Sequence, residues 1–342
     1  MFISDFDYDL PEELIAQEPL ANRAGSRMLA VDRSKADLSD HSFAEFPSFL
    51  RSGDLLVVNN TRVFPARLLG RSETGANVEL FLVAEREPGI WETLARPARR
   101  LRPGKKVSIG DQLTAEVLEK TGDGRVVVRF DSKGDLDATI DAVGHTPLPP
   151  YIKRGDGIDS DRERYQTVYA KERGAIAAPT AGLHFTPEIV DRVKAAGVNI
   201  AEITLHVGYG TFEPVRVEDL SEHTVMSEHY SMDEPTARSL EATKGEGRRV
   251  VAVGTTTTRA LESNLAQFGA FTAGQHLASL TITPGYKFGA IDALLTNFHL
   301  PKSSLLVLTS TFGGHELIMS GYRHAVAAGY RFYSYGDCML IV

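Results

Sequence analysis

Short apolar runs along this chain end abruptly in polar clusters, and the texture of the runs changes twice. Asp54–Arg62 holds Leu55-Leu-Val-Val58 followed by Asn59, Asn60, Thr61 and Arg62, the pattern of a strand buried on both faces in a parallel sheet. From Ala66 to Ser132 the pattern shifts to alternating segments, Asn77–Val83, Leu113–Leu118 and Arg125–Phe130, separated by turn signals such as Thr121-Gly-Asp-Gly124. That texture predicts a small antiparallel β domain closed as a barrel. Pro147-Leu-Pro-Pro-Tyr151 then imposes extended backbone and suits a hinge. The β domain, residues 65–150, therefore reads as an insertion in a discontinuous domain made of 1–64 and 151–342.

After the hinge, strand and helix patterns alternate. Thr186-Pro-Glu188 sets a capping hydroxyl before a proline at the first helical position, and Gly197 stops the helix, predicting a helix over about 187–196. Strands are predicted at Ile200–Leu205, Val250–Val253, Leu305–Leu308 and near Arg331–Tyr335. Helices are predicted near Pro235–Thr243, at Arg259–Phe268 and at about 316–328. The fold class is α/β: a mixed or parallel sheet with helices on both faces, interrupted by the inserted antiparallel barrel.

In open α/β sheets, ligands bind beyond the carboxyl ends of the strands. Three apolar runs lead into polar clusters there. Asn59, Asn60, Thr61 and Arg62 follow the first; His206, Gly208, Tyr209 and Gly210 follow the second. Gly254, Thr255, Thr256, Thr257, Thr258 and Arg259 follow the third. Four β-branched threonines make a poor helix interior, and instead offer hydroxyls and N–H groups to an anion or carboxylate at a helix N-terminus. A threonine-capped helix with no ligand accounts for the same residues.

Composition narrows the classes. Lys plus Arg number 37 and Asp plus Glu 45, a formal net charge of −8, so a nucleic-acid partner has to be held by a local basic patch. Arg96, Arg99, Arg100, Arg102, Lys105 and Lys106 form one without an intervening acid, and Lys153, Arg154, Arg162 and Arg164 extend it near the hinge. A solubilising hairpin is the competing reading. The single cysteine, Cys338, permits no internal disulfide and no Cys-rich zinc site, which fits a reducing cytoplasm. The first ten residues carry three aspartates and no basic leader pattern, and no apolar run approaches the ~18 residues of a membrane span.

No G-x-G-x-x-G or G-x-x-x-x-G-K-[ST] fingerprint occurs, and no H-E-x-x-H spacing. No metal site is indicated. His184 before the Thr186 cap and His206 at a strand end stand where acid–base histidines are placed. Glu213, Glu228, Asp292 and Asp337 are candidate bases, with solvated faces as their default role.

Several long stretches resemble one family: Leu55–Arg67, Pro147–Arg154, Ala178–Thr186, His206–Pro214, Val253–Ser263 and Asp292–Ser303. On these, the chain is similar over nearly its full length to the S-adenosylmethionine:tRNA ribosyltransferase-isomerases of the queuosine pathway. It departs from their pattern at Met226, where a histidine is usual, at His315, where Arg or Lys is commoner, and at Ile282-Thr283. The resemblance implies that S-adenosylmethionine gives its ribosyl group to the aminomethyl arm of a deazaguanine at the tRNA wobble position. Epoxyqueuosine-tRNA forms; adenine and methionine leave. It implies a barrel inserted in an α/β domain, no metal, no separate cofactor, no membrane and no obligatory protein partner. The chemistry needs a base for the proton next to the sulfonium and a donor for departing adenine. His206 or Glu213 is the expected base, and His184, Glu228 or His299 the expected donor. Tyr209, Phe212 and Tyr286 would supply faces for the sulfonium, and Arg259 with the threonine loop would hold the carboxylate. Asn59, Asn60, Thr61, Arg62 and Asn297 complete the expected substrate contacts. Arg96, Arg99, Arg100, Arg102, Lys105, Lys153 and Arg154 would hold tRNA. A methyltransferase using the same donor and a non-catalytic tRNA-binding protein are the competing classes.

Overall fold

A computed structural model describes residues 1–122, 124–153, 160–208 and 215–342. Nine strands form the main sheet: β1 Arg27–Asp32, β2 Asp37–Ser42, β3 Leu55–Asn59, β4 Asn199–Leu205, β5 Glu228–Met232, β6 Val250–Val253, β7 Gly274–Ala278, β8 Ala293–Asn297 and β9 Cys338–Ile341. Their order is β7-β5-β4-β3-β6-β8-β9-β1-β2. β3 pairs in parallel with β4 and β6, and β6 with β8, while β9 runs antiparallel to β8. The sheet is therefore mixed.

Every residue of β3, β6, β8 and β9 is buried. Successive side chains feed opposite faces, as a strand period of two requires. Leu55 and Val57 join the core under the helices Glu234–Gly245, Thr255–Phe268, Ser304–Gly313 and His315–Ala327. Leu56 and Val58 join the core under Pro187–Ala195 and the aromatic turn Phe43–Phe49. Helices thus cover both faces. Thr186 caps its helix by accepting from the Ile189 N–H at 3.3 Å.

The second unit is a closed barrel of six antiparallel strands lying between Arg67 and Ser132. Leu68, Leu80, Leu82, Val107, Val117 and Val128 fill it.

Two expected strands are different structures. Leu305–Leu308 lies inside the helix Ser304–Gly313, whose N-cap Ser303 accepts from the Leu306 N–H. A short apolar run is ambiguous between buried helix and strand, and the Ser303 cap with Gly313-Gly314 as stop decides it. Arg331–Tyr335 is a turn, and the strand begins only at Cys338. Tyr333 has φ 74°, which a strand cannot accommodate. The helix expected from Arg259 starts at Thr255; Thr257 and Thr258 fit its first turn by donating to the carbonyls of Val253 and Gly254.

A buried polar joint ties the sheet end to its surroundings. Asn297 Nδ2 donates to His184 Nε2 at 3.2 Å, His184 Nδ1 meets Ser26 Oγ at 2.9 Å, and Ser26 Oγ donates to the Arg23 carbonyl. Burial, with Arg23 and Arg331 nearby, pushes the His184 pKa down to about 3. The unfolded chain therefore binds a proton here below about pH 6.5 that the folded chain refuses, so the stability this ring contributes is present above 6.5 and lost as pH falls towards 3. His184→Gln cannot take up that proton. In denaturant unfolding across this window, the stability gap between wild type and variant is expected to shrink by up to about 1.4 kcal/mol per pH unit, and a pH-independent gap would contradict this joint.

Candidate active site

Beyond the carboxyl ends of the central strands lies a cavity of about 680 Å³. Its walls come from the ends of β4 (Val207, Gly208), β6 (Gly254, Thr255, Thr256) and β8 (Thr296 to His299), with Glu228, Tyr333 and Ser334 alongside. Val83, Ala84 and Arg125 of the barrel close one side, and Pro150 and Tyr151 of the Pro-rich segment another. Both units and the peptide that joins them shape the same space.

Gly254 begins one wall with φ +91°, a conformation that glycine adopts without strain. The helix Thr255–Phe268 follows, with no side chain capping its first N–H groups. Thr255 and Thr256 line the cavity there, so free N–H groups, hydroxyls and the positive end of the helix dipole face a ligand together. Thr257 points back into the fold and bonds Val253.

Arg259 also borders the cavity, but its guanidinium is a strut. It donates to Glu228 Oε2 at 2.7 Å, to the carbonyls of Leu280 at 3.1 Å and Ala278 at 2.6 Å, and to that of Met226. The ion pair is nearly buried on both sides. Glu228 accepts from the Gly208 N–H with its other oxygen, which fixes the carboxylate at the cavity wall.

His299 lines the cavity with Nε2 on Thr296 Oγ1 at 2.8 Å. Burial pushes its pKa down to about 3, so the ring is neutral at physiological pH. Its backbone N–H donates to Tyr322 Oη at 3.0 Å and its carbonyl accepts from Tyr8. Asn297 lines the cavity as well, while His184 stands behind it in the wall.

The remaining expected residues lie apart. His206 is half-buried, shares a 2.7 Å hydrogen bond with Thr61, and covers Gly174 so closely that a Cβ there would lie 2.7 Å from the ring. Burial lowers its pKa. Asn59 brackets the backbone of Leu205 and Thr61, and Asn60 bonds Glu202 and Thr204, so both asparagines lock β3 to β4. Arg62 is exposed. Tyr286 donates to Glu262, whose carboxylate also takes the N–H groups of Gly289, Ala290 and Ile291. Asp292 pairs with Lys244 at the foot of β8, and Asp337 accepts from the N–H groups of Arg27 and Arg331. Tyr209, Phe212, Glu213 and Arg154 lie outside the described residues.

The structure adds groups that the sequence reading passed over. His223 lines the cavity and shares a 2.8 Å hydrogen bond with Ser304; burial lowers its pKa. Tyr151 and Tyr333 pack with ring centroids 4.0 Å apart, and Tyr151 bonds Ser334. The signal available for His223 was its closeness in sequence to Met226 and Glu228, both singled out above; nothing local marks the pairing of Tyr151 with Tyr333.

On the barrel, Arg96, Arg99, Arg100, Arg102, Lys105 and Lys106 are exposed. Lys105 pairs with Glu73 at 2.9 Å, whereas the other five have no carboxylate partner among the described residues. Near the hinge the cations are occupied: Lys153 bonds Glu12, Arg162 the Asp141 and Gly144 carbonyls, and Arg164 those of Leu20 and Ala21. Among the described residues no helix is long and apolar enough to cross a membrane.

A family model described as queuosine biosynthesis protein matches residues 3–341. A protein of Trichlorobacter lovleyi named S-adenosylmethionine:tRNA ribosyltransferase-isomerase is 47% identical over 342 residues, spanning 100% of both chains. Its counterpart of the same name from Syntrophotalea carbinolica is 49% identical over 345 residues, again spanning 100% of both. The crystal structure of S-adenosylmethionine tRNA ribosyltransferase from Thermotoga maritima superposes with a TM-score of 0.56 at 36% identity, covering 99% of this chain and 100% of that one. With matches of this length and identity, the chain belongs to the queuosine biosynthesis protein family.

Proposed function

We propose that this enzyme transfers and isomerises the ribosyl moiety of S-adenosylmethionine onto 7-aminomethyl-7-deazaguanine at the tRNA wobble position, giving epoxyqueuosine-tRNA and releasing adenine and methionine. The observation that carries this reading is one cavity walled by both units, with an unpaired helix N-terminus inside it and unpartnered cations on the barrel that borders it. Its volume suits a small-molecule ligand of this class.

The methionyl carboxylate is matched by the N–H groups and hydroxyls at Thr255 and Thr256. Arg259 is already neutralised by Glu228 and supports that wall without meeting the carboxylate itself. Glu228 is the carboxylate that lines the cavity, and although it pairs with Arg259 it is assigned here to take the acidified 5′ proton. His299 serves the departing adenine: when Thr296 donates to its Nε2, the ring proton resides on Nδ1, where a neutral imidazole donates to a purine nitrogen. The exposed arginines hold the tRNA backbone.

Incubating the protein with labelled S-adenosylmethionine and tRNA carrying the aminomethyl base is expected to yield free adenine and ribosylated tRNA. S-adenosylhomocysteine as the spent donor would instead mark a methyltransferase, and an unconsumed donor a binding protein. Glu228→Gln preserves shape at the Arg259 contact and is expected to lower turnover by at least ~100-fold, with a melting curve confirming the fold; near-normal adenine release would remove Glu228 from proton transfer. Replacing Arg99, Arg100 and Arg102 together by alanine is expected to weaken tRNA binding and to reduce the log–log salt slope by about 2 to 3. An unchanged slope would assign this patch to solubility.

A further inference from the structure

Asn297 carries a polar atom that the described protein residues do not use. Its Nδ2 faces three acceptors at the end of β8: His184 Nε2 at 3.2 Å, the Tyr333 carbonyl at 3.2 Å and the Asp337 carbonyl at 3.5 Å. Oδ1 is buried and has no hydrogen-bond partner, although the residue, only 3% exposed, lines the cavity. Leaving a buried amide oxygen unpaired is costly, and turning the amide over offers no relief. With the Ser26 hydroxyl donating to the Arg23 carbonyl, the His184 ring proton is placed on Nδ1, so the flipped oxygen would meet two carbonyls and the Nε2 lone pair. His184 stays neutral throughout the physiological range, since burial and the charges of Arg23 and Arg331 oppose its protonation. The amide is locked, and Oδ1 remains a fixed acceptor without a donor.

The surroundings select among the donors a ligand could bring. An ammonium would enter the same positive field that helps to keep His184 unprotonated, whereas an uncharged aryl amine meets no such opposition. Tyr151 and Tyr333 both line the cavity and pack on each other, partly exposed aromatic surface suited to a planar heterocycle. We infer that Asn297 Oδ1 accepts a hydrogen bond from the exocyclic amine of the donor's adenine and thereby selects 6-aminopurine donors. A 6-oxo purine would set oxygen against oxygen, and a 6-unsubstituted purine would leave Oδ1 unpaired. This inference rests on the S-adenosylmethionine reading above and adds which atom recognises the base. It also gives His184 a positioning role, exerted through the Asn297 amide.

The test uses non-reacting ligands, so that leaving-group chemistry does not enter. Binding of S-adenosylhomocysteine, S-inosylhomocysteine and the 6-unsubstituted counterpart to the full chain is measured by calorimetry. S-adenosylhomocysteine is expected to bind about 10- to 100-fold more tightly than either analogue. In Asn297→Ala and Asn297→Ser, with folding checked by thermal melting, both ratios are expected to fall below about threefold. A wild-type ratio below about threefold overturns the inference whatever the variants do, as does a folded variant that keeps the full ratio. Failure to bind S-adenosylhomocysteine, with no adenine released in the turnover assay, overturns the donor reading together with this contact; adenine release without discrimination overturns this contact alone.

Discussion

Burial of four neighbouring strands on both faces is the constraint from which the rest of this molecule follows. β3, β6, β8 and β9 are made of buried residues along their length, so an unpaired polar group on either face of the sheet centre carries a desolvation cost. Polar side chains are displaced to the strand ends. There the backbone also leaves its ladder, and the first N–H groups of the following helix are free. Sheet and cavity are consequences of the same apolar runs.

Most of the polar residues at that rim serve the fold itself. Asn59 and Asn60 stitch one strand to the next, Glu262 gathers three consecutive N–H groups, and Arg259 binds three carbonyls and a carboxylate. What separates a ligand contact from a strut is whether the hydrogen-bonding capacity is already used. By that criterion Thr255, Thr256, His299 and Asn297 face the cavity as working surface, Glu228 lines it while already paired with Arg259, and His206 and Tyr286 belong to the surrounding framework. Arg96, Arg99, Arg100 and Arg102 of the barrel meet the same criterion at long range, since among the described residues they have no carboxylate partner in a chain of net charge −8.

Much of the fold was legible from local pattern. The run Leu55–Val58, the Thr186-Pro187 helix start and the alternating segments of the barrel each declare themselves within a few residues, because burial on two faces, capping and strand alternation are short-range signals. Leu305–Leu308 misled because four apolar residues satisfy helix and strand equally, and only the Ser303 cap distinguishes them. β5, with the sequence Glu228-His-Tyr-Ser-Met232, shows little strand propensity; it is a strand because β4 and β7 flank it. In the site, the threonine cluster at the start of a helix could be seen in advance, although the helix takes in the threonines and begins at Thr255, not at the expected Arg259. The union of Ser26, His184 and Asn297 could not, since it joins positions separated by 158 and 113 residues.

Tyr151 sits in the peptide that returns from the barrel, yet it packs on Tyr333 and bonds Ser334 of the α/β unit. The connection between the lobes is thus a structural member of the chamber and not a slack tether. Under the function proposed above, a polynucleotide held by the barrel would bear on the same backbone that frames the small ligand, so the two binding events would share a mechanical boundary.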